Sequence, residues 1–438
     1  MAGFKSATAA LLAASSLLSS LAVGQQIGTA VPEVHPRLIT QRCTLAKGCR
    51  PARNSIVVDA FSRSLHKVGD VNTTCTIGDA LCKDAASCGK NCALEGMDYA
   101  NKGVVTKGDA LTLNQWLLGT DGKYKTVTPR TYLLDEGGKN YENLQLLNAE
   151  LTFDVDVSTM VCGMNGALYF SEMEMDGGRN SSLNPAGAEY GTGYCDAQCP
   201  TLDFINGQAN IGNKYGACCN EMDIFEANAL AQSLTPHPCN ATRVYKCSGA
   251  DECGQPVGVC DKWGCSYNPY QHGQHDYYGR NLTVDTNRKF TVVTQFLTDT
   301  GTATGSLNEI RRLYIQDGKL IKNVAITPTA GLTVDSITND YCKATASFSE
   351  QRGGLKRMGE AIGRGMVLIF SIWADDGGFM NWLDSGNSGP CNATEGNPAL
   401  IVKEHPEAAV TFSNIKWGEI GSTYHTAVKC KKSLRAIH

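Results

Sequence analysis

The sequence predicts an all-β sandwich with large loops. Three observations carry that prediction: segments with strand periodicity or strand composition, one segment with helical periodicity, and long glycine-rich stretches between them. In chain order, "LTFDVDVS" (151–158) alternates apolar and polar residues, as does part of "ALYFSEMEM" (167–175). "KFTVVTQFLTD" (289–299), "MVLIFSIWAD" (366–375) and "AVTFSNIKWGEI" (409–420) are rich in β-branched and aromatic residues. "LKRMGEAIGRG" is the one expected helix, with Leu355, Met358 and Ile362 at i, i+3 and i+7. Length alone would suggest two or three domains, but large β-sandwiches run long as single domains. No Pro/Ser/Thr linker, repeat or low-complexity block divides the chain, so one domain is expected over residues 25–423, with a basic tail at 424–438.

The first 24 residues read as a secretory signal peptide. Lys5 supplies the basic start, an apolar stretch broken by serines follows, and Ala22 and Gly24 are small residues before a cut at Gln25. The 19 cysteines suit an oxidising compartment. Asn72, Asn180, Asn240, Asn281 and Asn392 each begin an N-x-S/T triplet, as surface loops of a secreted protein do. A secreted, extracellular protein without a membrane span is therefore expected. The net charge is −4, and removing residues 1–24 takes away one lysine and no acid, leaving −5. Nucleic-acid binding would want a basic stripe, and the short "KCKKSLRAIH" end does not supply one. No cofactor or metal is expected, and a monomer is.

"NEMDIFEAN" (220–228) raises the functional question, because Glu221, Asp223 and Glu226 crowd three acids among Met222, Ile224 and Phe225. Like charges this close repel, and apolar neighbours make their desolvation costly. On a strand, Glu221 and Asp223 share a face, whereas strict alternation would put Glu226 on the other. A β-bulge near Ile224–Phe225 would return Glu226 to the first face. The two glutamate Cα atoms would then lie about four strand rises apart, ~13 Å. Side chains leaning together would leave a gap of about 5 Å, the separation a retaining glycosidase needs. One carboxylate would attack the anomeric carbon while the other, protonated, serves the leaving oxygen. The competing readings are a solvated acidic face, which the interleaved apolar residues oppose, and a calcium loop, whose glycine and distal glutamate are missing here.

"NEMDIFEAN" followed by "LTPHPC" (234–239) closely resembles the catalytic segment of glycoside hydrolase family 7, the fungal cellulases. "HPRLITQRCT", "CGMNGALYFSEM", "YGTGYCDAQC", "FINGQAN", "MNWLDSGNSGPC" and "FSNIKWGEIGST" resemble family segments in the family's order, from about Gln25 to Thr423. The family pattern has Trp where this chain has Phe225, which keeps a ring and loses an indole donor.

The resemblance implies a concanavalin A-like β-jelly-roll sandwich whose long loops form a substrate cleft, and retaining hydrolysis of β-1,4-glucan. It implies Glu221 as nucleophile, Glu226 as acid/base, Asp223 as the residue that tunes Glu221, and His237 near the leaving-group sugar. It implies Trp373 and Trp382 as sugar platforms on either side of the cleavage point. Asn165, Tyr169, Tyr194, Asp196, Gln198 and Arg130 match the family's polar lining. Trp116, Trp263 and Trp417 are expected to be structural. The resemblance also implies nine disulfides: Cys43–Cys49, Cys75–Cys92, Cys82–Cys88, Cys162–Cys391, Cys195–Cys219, Cys199–Cys218, Cys239–Cys260, Cys247–Cys253 and Cys265–Cys342. Cys430 is left over.

Within the family, three features resemble the open-groove endoglucanases more than the tunnel-forming cellobiohydrolases. Only nine positions separate Trp382 from Cys391, the Cys253–Cys260 stretch is short, and Ser62 and Ser64 stand where tunnel enzymes place tryptophans. An endo-1,4-β-glucanase is the expectation. The alternatives are a cellobiohydrolase and, from another class, a catalytically silent glucan-binding lectin, which the intact carboxylates oppose.

Overall fold

The computed structural model describes residues 25–424. The expected signal peptide and nearly all of the basic tail, including Cys430, lie outside the described residues. The strands that build the layers are β1 (Arg37–Thr44), β2 (Gly48–Val58), β3 (Arg130–Leu134), β4 (Ala149–Asp156), β5 (Met164–Ser171) and β6 (Glu221–Ala227). They continue as β7 (Gln232–His237), β8 (Phe290–Thr298), β9 (Leu307–Gln316), β10 (Met366–Ala374) and β11 (Ala409–Glu419). Hydrogen bonding links them in the order β7-β6-β5-β10-β3-β2-β1-β11-β4-β8-β9. All pairs are antiparallel except β1 with β11.

The path folds back on itself to make a sandwich. Aromatic pairs cross the gap between layers: Phe225 of β6 meets Phe153 of β4 at 6.0 Å and Phe290 of β8 at 6.2 Å, and Phe370 of β10 meets Phe412 of β11 at 5.5 Å. Alternation divides each strand between two environments. On β10, Met366, Leu368, Phe370 and Ile372 enter this main core, while Val367 and Ile369 join a second cluster with Tyr132, Ala167, Tyr169 and Tyr194. The second cluster lies under the loops that cover the other face of the β5-β10-β3 layer. Burial on both faces explains why β10 reads as a nearly continuous apolar run.

Each of the five strand segments anticipated from the sequence is a strand here. The anticipated helix spans Gly354–Arg364 and buries Leu355, Met358 and Ile362. It is not the only one: Ala85–Asn91, Asn339–Thr345 and Pro398–Glu404 are also helical. Each has only seven residues, too short to display a period, and begins at a side-chain cap from Asp84, Thr338 or Asn397.

All nine expected disulfides are present. The five sequon asparagines are exposed. Trp116 and Trp417 are buried, as expected. Trp263 is not: it is 59% exposed, with its ring against Phe348 at 4.8 Å. Gly264 takes the inward side of that turn, where a Cβ would come within 2.3 Å of Thr235, so the tryptophan beside it turns outward.

Candidate active site

The three acids of β6 share one face because the strand carries a bulge. Against β5, Phe225 pairs with Leu168 and Asp223 with Tyr169, so Ile224 is the extra residue. Against β7 the register also shifts between Asp223 and Glu226. Two consecutive side chains, Ile224 and Phe225, therefore enter the main core beside Met222 and Ala227. Glu221, Asp223 and Glu226 are left on the opposite face. Phe225 is fully buried between Phe153 and Phe290, so the ring that replaces the family's tryptophan is well packed.

Each carboxylate has a different partner. Glu221 Oε2 accepts the Ala197 N–H at 3.0 Å. Ala197 lies between Cys195 and Cys199, which bond to Cys219 and Cys218 just before Glu221, so two disulfides hold that donor in place. Asp223 Oδ2 lies 3.0 Å from His237 Nε2, across the β6–β7 pair. His237 Nδ1 faces the Asp261 carbonyl at 2.9 Å, and a carbonyl only accepts, so Nδ1 carries a proton. Glu226 Oε1 accepts from Asn165 Nδ2 at 2.9 Å, and Asn165 Oδ1 accepts the Ala227 N–H at 3.2 Å, which fixes the amide's orientation.

Burial and mutual repulsion set the protonation. Burial, then the charges of Asp223 and Asp196, push Glu221 well up from the ordinary carboxylate range, against its bond to Ala197 N–H. Burial, then Asp223, push Glu226 up to about 8, opposed by Asn165 and His237. Burial alone would lower His237, but its bond to Asp223 and that carboxylate's charge outweigh this and bring it to about 9. At neutral pH His237 is thus a cation beside Asp223. Glu226 has no backbone donor and keeps its proton. Glu221 faces a backbone N–H, which can serve only an acceptor, so the anion is best held there.

The remaining residues singled out in the sequence gather around this strand. Asp196 accepts from the Tyr194 hydroxyl at 2.6 Å and the Gln198 N–H at 2.8 Å, and the Tyr194 and Tyr169 hydroxyls are 3.0 Å apart. Arg130 bonds Asp59 through Nε and Nη2 at 2.9 and 2.7 Å, and its guanidinium lies 3.4 Å over the Tyr194 ring. Gln198 is exposed and donates to the Lys262 carbonyl at 2.8 Å. A groove of about 520 Å³ is lined by Arg130, Tyr169, Tyr194, Asp196, Gln198, Asp223, Glu226 and Trp373.

One expected placement changes. Asn165 is fully buried with both ends of its amide engaged, so it stands behind Glu226 and is not part of the cleft wall. Trp373 and Trp382 stand close together, their rings 6.5 Å apart and inclined by 27°. The short Asn381–Asp384 helix brings Trp382 there, because Asp384 accepts from Asn228 Nδ2 and the Gly163 N–H, each at 2.7 Å.

Asp59, Asp261, Gly264 and Arg312 also shape the site and were not legible, since their partners are remote in sequence. A Cβ on Gly264 (φ +69) would come within 2.7 Å of the His237 ring. Two clusters among the described residues bring three potential metal-binding side chains together, Cys199–Cys218–Cys247 and Cys162–Asp384–Cys391. Their sulfurs are tied in disulfides and are not thiolate ligands.

A sandwich with a long groove across one sheet, floored by paired carboxylates and flanked by aromatic rings, is the architecture of a polysaccharide-cleaving hydrolase. The chain belongs to glycosyl hydrolase family 7, whose pattern matches residues 27–424. It is 60% identical over 413 residues to a probable endo-beta-1,4-glucanase celB of Aspergillus terreus, covering 93% of this chain and 96% of that one. It is 57% identical over 412 residues to the endo-beta-1,4-glucanase celB of Aspergillus oryzae, covering 93% and 97%. Among solved structures it is similar to the native Humicola insolens endocellulase EGI, with TM-score 0.85 and 46% identity over 91% of this chain and all of that one. A family 7 cellobiohydrolase from Daphnia pulex aligns with TM-score 0.83 and 37% identity, covering 91% of this chain and all of that one.

Proposed function

We propose that this chain is a secreted, monomeric endo-1,4-β-glucanase that cleaves internal bonds of cellulose and related β-glucans with retention of configuration. The observation that carries the reading is the β6 bulge, which sets Glu221, Asp223 and Glu226 on one face. Glu221 attacks the anomeric carbon while Glu226 gives its proton to the departing glycosidic oxygen. The glycosyl ester on Glu221 is then cleaved by a water whose proton passes to Glu226, restoring both groups. Asp223, paired with His237, stands between the two glutamates on the same face and tunes Glu221. Tyr194, Asp196, Gln198 and Arg130 supply polar groups to sugar hydroxyls, and Trp373 and Trp382 supply stacking faces.

Internal cleavage is supported by the short Trp382–Cys391 and Cys253–Cys260 stretches and by the names of the Aspergillus relatives. Secretion is supported by the N-terminal leader pattern, the disulfides and the exposed sequons. No helix among the described residues is long and apolar enough to cross a membrane. The test is viscosity loss against reducing ends released on carboxymethyl cellulose. A steep early fall in viscosity per bond cut is expected. Slow loss with mainly cellobiose released would mean the cellobiohydrolase alternative, and binding without turnover would mean the lectin.

A further inference from the structure

Four residues lie side by side across the sheet: Val367 on β10, Ser171 on β5, Glu221 on β6 and His237 on β7. Strand alternation puts Ser171 on the same face of β5 as Ala167 and Tyr169, the face that carries the groove. Residues paired across antiparallel strands stand with their Cβ atoms about 5 Å apart, so the Ser171 side chain rises from the sheet beside Glu221. Its hydroxyl is fully buried and bonds no partner among the described residues. A buried hydroxyl without a partner is a net cost to folding, and alanine would avoid it. A local rule broken at such a place points to function.

Glu221 is held at one oxygen. Oε2 accepts the Ala197 N–H, while Oε1 accepts from no donor among the described residues. A single contact leaves the carboxylate free to turn about it, and attack on the anomeric carbon needs the plane of the group fixed. The other hydroxyls beside it are engaged: those of Tyr169 and Tyr194 bond to one another, and Tyr194 donates to Asp196.

We propose that Ser171 is a positioning residue for the nucleophile, its hydroxyl turning to donate to Glu221 Oε1 when substrate fills the groove. This rests on the retaining mechanism above. Rotation about one side-chain torsion is the movement required. Catalytic hydrogen bonds that are open in a free enzyme often close in its complex. The donor serves the ionised carboxylate and favours it over the protonated acid.

The experiment follows kcat and KM against pH on an aryl β-cellobioside for the unaltered protein, Ser171→Ala, Ser171→Thr and Ser171→Val. Ser171→Ala should lower kcat about tenfold with KM nearly unchanged, the worth of one hydrogen bond to a charged group. The acid limb of kcat, which reports the substrate-bound protein, should move up by about one pH unit. Tm should hold or rise, because the free protein loses no bond. Threonine and valine match in shape and differ in the hydroxyl. Ser171→Thr should therefore keep rate and limb, and Ser171→Val should behave as Ser171→Ala. The titratable groups that face Glu221 stay in place in every variant: Asp223 and Glu226 on its own strand, Tyr169 on β5, His237 on β7, and Tyr194 and Asp196 on the covering loop. An acid limb that stays put in both Ser171→Ala and Ser171→Val overturns the proposal, whatever happens to kcat. A near-normal rate in Glu221→Gln would instead overturn the nucleophile assignment, and Ser171 would lose its role with it.

Discussion

The Arg312 guanidinium reaches across the sandwich core and donates to the main-chain carbonyl of Ile224. Ile224 is the extra residue of the catalytic bulge, so its carbonyl falls out of register with the ladder. Arg312 is almost fully buried, and its other bonds run to Thr294 Oγ1 and the Tyr314 hydroxyl, both at 3.3 Å. A buried cation with no carboxylate among these acceptors is costly, and its place is explained by the carbonyl it satisfies. Arg312 is thus a positioning residue, holding the bulge that turns Glu226 toward Glu221. Arg312→Met should cost about 1–3 kcal/mol of stability, and should lower kcat more than it changes KM at temperatures where the protein is folded. Thr294→Val removes a partner of Arg312 without touching the bulge, and should reduce stability while sparing kcat. Equal kcat in both variants would reduce Arg312 to a core residue.

Glu221 is buried and accepts the Ala197 N–H, and the proposed nucleophile role rests on that setting. Glu221→Gln keeps the side-chain shape and removes the charge. We expect a folded protein that still binds cellohexaose and whose turnover falls by three or more orders of magnitude, roughly the cost of deleting a nucleophile. Thermal unfolding should show no loss, because removing one of several crowded, buried acids relieves repulsion. A rate within tenfold of the unaltered protein would reject the assignment.

The proton on Glu226, the proposed acid, should set the alkaline limb of kcat/KM, which reports the free enzyme. With Glu226 at about 8, activity should fall as pH rises through that value. Asn165 opposes the upward shift by donating to the ionised form. Asn165→Ala should therefore move the limb to higher pH, as well as lowering kcat through loss of the acid's orientation. A limb that stays in place would mean that another group controls it.

How much of this could be read from the sequence differs by residue. The bulge was legible because three acids at spacings of two and three admit one face only if one residue is extra. β10 and β11 were legible as strands by composition. The short helices were not, since a cap and seven residues leave no period. Arg312, Asp59 and Asp261 gave no signal: each acts through a partner that only the pairing of distant strands and loops brings close, Arg312 lying 88 positions from Ile224. The exposure of Trp263 gave no signal either, since only the packing of Gly264 reveals why the residue beside it points outward.

Phe225 gives a prediction against the family pattern. Its ring is fully buried, edge-on to Phe153 and Phe290. Restoring the family's tryptophan enlarges a filled site, and the surrounding aromatics are fitted to phenyl. Phe225→Trp should destabilise the protein by about 1–3 kcal/mol, with kcat affected less than Tm. A rise in Tm would show that this core has room for the indole.

Asp223 and His237 make stability depend on pH with a defined sign. His237 is raised from 6.5 to about 9, so the folded protein holds a proton that the unfolded chain releases. The stability supplied by this pair is complete below about pH 6.5 and is lost as pH rises through 9. Glu226, raised from 4.5 to about 8, acts in the same direction, contributing fully below pH 4.5 and losing its contribution through 8. Tm should therefore decline steadily from mildly acidic to alkaline pH. In His237→Gln the Glu226 share of that decline persists and the His237 share disappears. The Tm gap between the two proteins should be widest below pH 6.5 and close as pH passes 9. A gap that is constant with pH would mean that Asp223 pairs with a neutral imidazole, and would remove the cation from the proposed mechanism.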